Sequence, residues 1–128
     1  VRVSATDWVE GGWDLEQTIE LAKELKILGA DLIDVSSGGI AHNAKITAGP
    51  GYQVPFAEAI RDGADIPTSA VGLITEADQA QEIIASGKSD AVMLARAYLR
   101  NPRWALNAAE TLGVKIHWPK QFERARTI

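Results

Sequence analysis

The chain contains no cysteine among its 128 residues, which excludes disulfides and thiolate metal sites. A reducing cytoplasm is the compartment that fits such a composition. No apolar run approaches the ~20 residues that span a bilayer, and no signal-peptide pattern opens the chain. Positive charge is not in excess: 13 Lys and Arg stand against 17 Asp and Glu, a net charge of −4. Neither nucleic acid nor an anionic membrane is therefore an expected partner. What basic charge there is gathers late, in Lys115, Lys120, Arg124 and Arg126. Missing too are G-x-G-x-x-G, the P-loop, H-E-x-x-H and G-x-S-x-G. The two histidines, His42 and His117, lie far apart without carboxylates at ligand spacing, so no metal is expected. The chain opens without Met, directly on the strand-like Val1-Arg2-Val3-Ser4-Ala5, as expected of a fragment or an incompletely determined sequence.

What is present reads as one ordinary globular domain over residues 1–128, with 46% hydrophobic and 23% charged residues. The first strand, residues 1–5, runs into a loop with Asp7 and Gly11-Gly12. Asp14 then predicts a helix N-cap, with Gln17 at the capping-box position. Leu15, Ile19, Ala22, Leu25 and Leu28 follow at helical spacing, and Gly29 is a stop. A second strand, Leu32–Ser36, leads through a Gly/Ser/Pro-rich loop to a short helix over about residues 55–62. The third strand is Thr68–Val71, ending at Gly72. Thr75 is its helix cap with Asp78 three positions on; Ala80, Ile83 and Ile84 face inward, and Gly87 closes the helix. The fourth strand is Ala91–Ala95, and Asn101-Pro102 announces a helix ending near Gly113. The tail from Val114 has no clear period.

Strands alternating with helices predict an α/β fold of about four right-handed, parallel strand–helix units. Periodicity leaves open whether they form a small doubly wound sheet or half of a closed barrel. Chemistry in such folds gathers at the C-terminal ends of strands. Gly72 and the small Ala95 would let backbone N–H groups approach an anion, and Arg96 adds a planar fork suited to phosphate oxygens. The plain alternative is a turn glycine and a surface arginine. Arg2 is either a strand-end arginine paired to Asp34 or Asp7, or a cation facing the electron-accepting end of a cofactor. Asp34, mid-strand in an apolar run, reads as a structural partner for a basic group. Trp8, Trp13, Trp104 and Trp118 read as packing residues.

Several stretches, in order and with matching gaps, resemble the old yellow enzyme family. They are Arg2-Val3-Ser4-Ala5, Asp34-Val35-Ser36-Ser37-Gly38, Pro50-Gly51-Tyr52-Gln53-Val54-Pro55-Phe56-Ala57 and Ala70-Val71-Gly72-Leu73-Ile74. Leu94-Ala95-Arg96, Leu99-Arg100-Asn101-Pro102 and Gln121-Phe122-Glu123-Arg124 complete the series. The most similar branch is the bacterial NADPH dehydrogenase and ene-reductase group, which includes xenobiotic reductases. The resemblance implies the C-terminal half of a TIM (β/α)8 barrel: strands five to eight plus the tail, with FMN at the mouth. It implies Arg2 at the pyrimidine edge of the flavin, Ala95 and Arg96 at the FMN phosphate, and Ser37 and Gly72 beside the cofactor. It also implies that Arg124 reaches the substrate site of a neighbouring subunit, hence a homo-oligomer.

The implied reaction passes hydride from NADPH or NADH through FMN to an activated alkene such as an enone. The donors that polarise the substrate carbonyl, the proton-donating tyrosine and further FMN contacts belong to earlier strands, so this half carries no catalytic residue of its own. Where the family ends in an aromatic residue after the arginine, this chain has Arg126-Thr127-Ile128. The alternatives are a non-catalytic phosphate- or flavin-binding half-barrel that must associate, with its missing N-terminal half or with a copy of itself, and another flavin or sugar-phosphate barrel enzyme. The exposed inner face of such a half-barrel is expected to be apolar.

Overall fold

The computed structural model describes residues 1–126. Four strands, β1 (Arg2–Ser4), β2 (Ile33–Ser36), β3 (Thr68–Ala70) and β4 (Ala91–Val92), pair in parallel in the order β1-β2-β3-β4. Helices α1 (Leu15–Ile27), α2 (Val54–Ala64) and α3 (Ala77–Ala85) connect them. Beyond β4 come α4 (Arg96–Arg100), α5 (Trp104–Thr111) and a 3-10 helix over Lys120–Ala125. No described helix is long and apolar enough to cross a membrane.

The helices form where local signals and an apolar face coincide. At the start of α1 the Gln17 N–H donates to Asp14 Oδ1 at 2.9 Å and the Asp14 N–H to Gln17 Oε1 at 3.1 Å, the reciprocal capping box that the spacing predicts. The helix stops as expected at Gly29, whose N–H donates to the Lys26 carbonyl while that of Ala30 donates to Leu25. Strand residues Val3, Ile33, Val35, Ala70 and Val92, with Ala5 just past β1, alternate toward the helices. There they meet Ala22, Val54, Ala57, Ile60, Ala80 and Ile83 in one core.

Several local expectations are corrected. Leu28 is 81% exposed because it is already the C-cap of α1, and Ile84 is 43% exposed on the outer side of α3. The N-cap of α3 is Glu76 rather than Thr75; neither its side chain nor that of Asp78 reaches back, and Gln79 Oε1 instead accepts the Thr75 N–H. The helix expected after Asn101-Pro102 is α5, which ends as expected just before Gly113 but has Arg103 rather than Asn101 as its N-cap; a short helix that was not expected, α4, precedes it, three residues after β4. Asn101 Oδ1 accepts the Arg103 N–H in the turn between them. The tail contains a 3-10 turn, fastened by buried Trp118 and by the Arg103 guanidinium 3.9 Å above the Phe122 ring. Thr127 and Ile128 lie outside the described residues.

On β1, β2 and β3 the face of the sheet away from the helices is polar rather than apolar, while β4 contributes Ala91. Register places Arg2 beside Asp34, Asp34 beside Ser69, and Ser69 beside Ala91, with Ser4 beside Ser36 in the next rank. These positions alternate with the core residues and so share the opposite face. A barrel interior filled with charge and hydroxyl needs internal partners more than apolar contact.

At the N-terminal edge the strands are tied by Asp90. Its Oδ2 accepts the Thr68 N–H at 2.9 Å and the Arg61 Nε at 3.1 Å, while its own N–H donates to the Thr68 carbonyl at 3.0 Å. The Thr68 N–H, helped by Arg61 and opposed by partial burial, holds the Asp90 carboxyl below the usual carboxylate range. A carboxylate whose pKa falls on folding stabilises the fold above its unfolded value, about 3.9, and that contribution disappears as pH falls through the folded value. The Asp90 side chain is 37% exposed, so solvent limits the effect to about 1 kcal/mol or less. Asp90→Asn is expected to lower stability at pH 7 by that amount, and denaturant melts should show the gap to wild type closing below about pH 4.

A second test concerns the approach of α1 to α2. A Cβ added at Gly63 would lie 2.9 Å from Cγ2 of Ile19, a β-branched side chain with little room to turn. The helix-propensity gain of alanine over glycine is about 1 kcal/mol, whereas overpacking costs about 1–3 kcal/mol. Gly63→Ala is accordingly expected to destabilise by about 1 kcal/mol, and a raised midpoint in a denaturant titration would contradict the close packing.

Candidate functional site

Parallel pairing delivers every strand's C-terminal end to one edge, and a cleft of about 420 Å³ opens there. Its lining includes Arg2, Ser37, Gly72, Ala95 and Arg96, so the structure brings together all five of the cofactor-binding residues read from the sequence. Tyr52, Gln53 and Arg100 join them. Three arginines line the cleft and no carboxylate does, which makes it a place for an anion.

Arg2 is paired to Asp34, the first of its two readings, and also lines the cleft. Its Nη1 lies 3.1 Å from Asp34 Oδ2, yet the side chain is 56% exposed and borders the cleft. Asp34 is only 13% exposed and its other oxygen, Oδ1, accepts the Ser69 hydroxyl at 2.8 Å. The carboxylate is thus held from two neighbouring strands and fixes the guanidinium at the mouth.

Ser37 sits inside a relay that the sequence did not reveal. Its Oγ accepts the Trp8 indole N–H at 3.0 Å and donates to Gln53 Oε1 at 2.7 Å; Gln53 Nε2 in turn donates to the Val71 carbonyl at 3.0 Å. Gln53 is buried, so each of these bonds replaces one that water would otherwise supply. Trp8 itself stacks edge-on against Phe56 with centroids 5.4 Å apart, a packing residue that also carries a hydrogen bond. The one local clue to Gln53 was its place at the start of a helix after Pro50-Gly51, where a polar side chain can serve the loops beside it.

The loop after β3 is shaped for close approach. Gly72 has φ 130°, and a Cβ there would meet the Tyr52 ring at 3.1 Å and Gln53 Nε2 at 3.0 Å. Among the described residues, the N–H groups of Gly72, Leu73 and Ile74 have no hydrogen-bond partner, nor do those of Ala95 and Arg96. The Arg96 guanidinium makes no ion pair with any described residue. Ala95 is the N-cap of α4 and Arg96 its first residue, so a small residue and a free cation stand side by side.

This set fits the FMN that the sequence reading implied. The loop amides and Arg96 would offer a phosphate N–H donors and a cation, and Arg2 would offer a fixed cation to a ring that gains negative charge on reduction. Arg124 is elsewhere: with Glu110, Lys115, Trp118 and Arg126 it borders a separate cleft of about 840 Å³ at the tail. Among the described residues no group of three or more His, Cys, Asp or Glu is placed to hold a metal ion.

Fold and site together define a class: parallel strand–helix units of a (β/α)8 barrel, with an arginine-lined cleft at the C-terminal edge of the sheet. The chain belongs to the NADH:flavin oxidoreductase / NADH oxidase family, whose model matches residues 1–114. Membership implies FMN, with NADH or NADPH as reductant. The chain is 53% identical over 125 residues to an NADPH dehydrogenase of Listeria innocua and 51% identical over 124 residues to one of Geobacillus thermodenitrificans. These alignments cover 98% and 97% of this chain but 37% and 36% of the relatives, so the chain spans about a third of their length. In three dimensions it is similar to a histamine dehydrogenase from Rhizobium sp. 4-9, with a TM-score of 0.71 and 22% identity. That match covers 86% of this chain and 16% of the larger one, and establishes the fold.

The relay gives a test that needs no cofactor. Gln53→Leu leaves the Ser37 hydroxyl and the Val71 carbonyl without their partner and is expected to cost about 2–3 kcal/mol. Thermal and urea unfolding measure it; a loss under about 0.5 kcal/mol would mean that water replaces Gln53 freely.

Proposed function

We propose that this chain forms strands five to eight of an FMN-dependent, NAD(P)H-oxidising ene-reductase acting on activated alkenes such as enones. The observation that carries the reading is the convergence of Arg2, Arg96 and the unpartnered amides of Gly72 and Leu73 on one carboxylate-free cleft. When bound there, FMN would supply hydride chemistry between the nicotinamide and the alkene. The protein's own part is electrostatic. Arg96 and the amides of the β3–α3 loop hold the phosphate and orient the cofactor. Arg2, kept in place by Asp34, faces the growing negative charge and raises the tendency of the ring to accept electrons. The relatives' name, NADPH dehydrogenase, supports the oxidoreductase class.

In this reading the carbonyl-polarising donors and the proton-donating tyrosine come from the other half of the barrel. Arg124, presented on a 3-10 turn away from its own chain's cleft, serves the alkene site of a second subunit in a homo-oligomer. The enzyme works in the cytoplasm. A second reading, a flavin- or phosphate-binding half-barrel without turnover, draws support from the sheet itself: β1 and β4 each pair on one side only among the described residues. Such edges seek partners. Anaerobic turnover of a cyclic enone with NADPH, and mass in solution, separate the two.

Two substitutions test the cofactor roles. Arg96→Ala is expected to weaken FMN binding by about 2 kcal/mol, the scale of a charge-assisted hydrogen bond. Arg2→Ala is expected to leave flavin bound with a lowered reduction potential. Fluorescence titration and spectroelectrochemistry read these out; unchanged affinity in the first and unchanged potential in the second would remove both assignments.

A further inference from the structure

Gly72 through Thr75 make a loop whose peptide groups are held from behind. The Val71 carbonyl accepts Gln53 Nε2 at 3.0 Å, that of Gly72 accepts the Gly51 N–H at 2.8 Å, and that of Leu73 accepts Gln79 Nε2 at 3.3 Å. The Thr75 carbonyl accepts the Trp104 indole N–H at 2.8 Å. Four carbonyls are thus engaged by donors from α3, α5 and the loop and first turn leading into α2, and the N–H groups of Gly72, Leu73 and Ile74 are left without partners among the described residues. A peptide that flipped would turn its oxygen toward a bound anion and its N–H away. Orientation therefore decides whether the loop attracts a phosphate or repels it.

Leu73 is where that orientation is hardest to keep. Its φ is 51°, a left-handed conformation disfavoured for a side chain with a Cβ. Gln79 fastens the two peptides that follow with one amide group: its Nε2 donates to the Leu73 carbonyl, which shares its peptide with the Ile74 N–H, and its Oε1 accepts the Thr75 N–H at 3.1 Å. A hydrocarbon of the same size can do neither. Strain of this kind persists only where the surroundings impose it.

We propose that Gln79, seconded by the Trp104 indole, is a positioning residue that keeps the amides of the Gly72–Ile74 loop facing the phosphate end of the cofactor. It thereby sets selectivity for the phosphorylated flavin over the unphosphorylated one. The proposal rests on the flavin reading above and adds to it a role for two side chains that need not touch the ligand. It differs from a structural capping role in what it moves. Loss of a cap alone weakens every ligand of the folded protein alike, whereas a disordered amide cradle weakens only the ligand that carries a phosphate.

The test is a pair of titrations, FMN and riboflavin, on wild type, Gln79→Leu and Trp104→Phe. Trp104→Phe keeps most of the ring packing and removes only the indole donor, so it remains informative if Gln79→Leu does not fold. Gln79→Leu is expected to lower the FMN-to-riboflavin affinity ratio about tenfold with riboflavin affinity changed by less than about twofold, and Trp104→Phe to lower the ratio about threefold. Equal weakening of both flavins, or an unchanged ratio in the folded variants, would overturn the positioning role while leaving the flavin site standing. A wild type that binds riboflavin as tightly as FMN would instead remove the phosphate assignment of the cleft, and the role of Gln79 with it.

Discussion

The register that sets Arg2 beside Asp34, and Asp34 beside Ser69, is the constraint on which the rest of the site depends. A slip by one residue would send these side chains into the apolar layer under α1 and α2, where an unmatched charge costs several kcal/mol. In the observed register they face away from the helices and satisfy one another across three strands. The same pairing brings the loops after β2, β3 and β4 to one level, so residues as distant as Ser37, Gly72 and Arg96 border a single cleft.

The two edges of the sheet divide their work. At the N-terminal edge the interactions are structural: Asp90 against the Thr68 N–H and Arg61, and Lys26 against the carboxylate and carbonyl of Asp65. Lys26 holds the Asp65 carboxyl below its usual range, and Asp90 raises the already high value of Arg61, but these groups stand largely in water and their pairing is worth little. The stronger element there is the backbone bond that Asp90 receives. At the C-terminal edge the groups face an open cleft: Arg96 without an ion pair among the described residues, Arg2 held by Asp34, amides without hydrogen-bond partners, and a glycine where a Cβ would collide.

Such a wall is built largely by residues behind it. Gln53, Gln79 and Trp104 make five hydrogen bonds with the loops that line the cleft, from α3, α5 and the segment entering α2. Each bond is ordinary in strength, of the order of 1 kcal/mol. Their combined effect is directional: they fix which side of each peptide meets the cleft, and that settles the sign of the local field.

The sequence by itself determined the alternation of strand and helix, the capping box at Asp14 and Gln17, the stop at Gly29, and the place of Gly72 and Arg96 in the segments that follow the third and fourth strands. All of these are written in contacts within a few residues of one another, where spacing alone specifies geometry. Only the tertiary structure decided that Glu76 rather than Thr75 caps α3, that a short α4 precedes α5, and that the open face of the sheet is polar on β1 to β3. It alone showed Gln53 joined to Val71, Trp104 to Thr75 and Ser69 to Asp34, over separations of 18, 29 and 35 residues. Partners that far apart meet only after the strands have paired, and the choice among possible partners is made by register and burial. No local pattern carries that information.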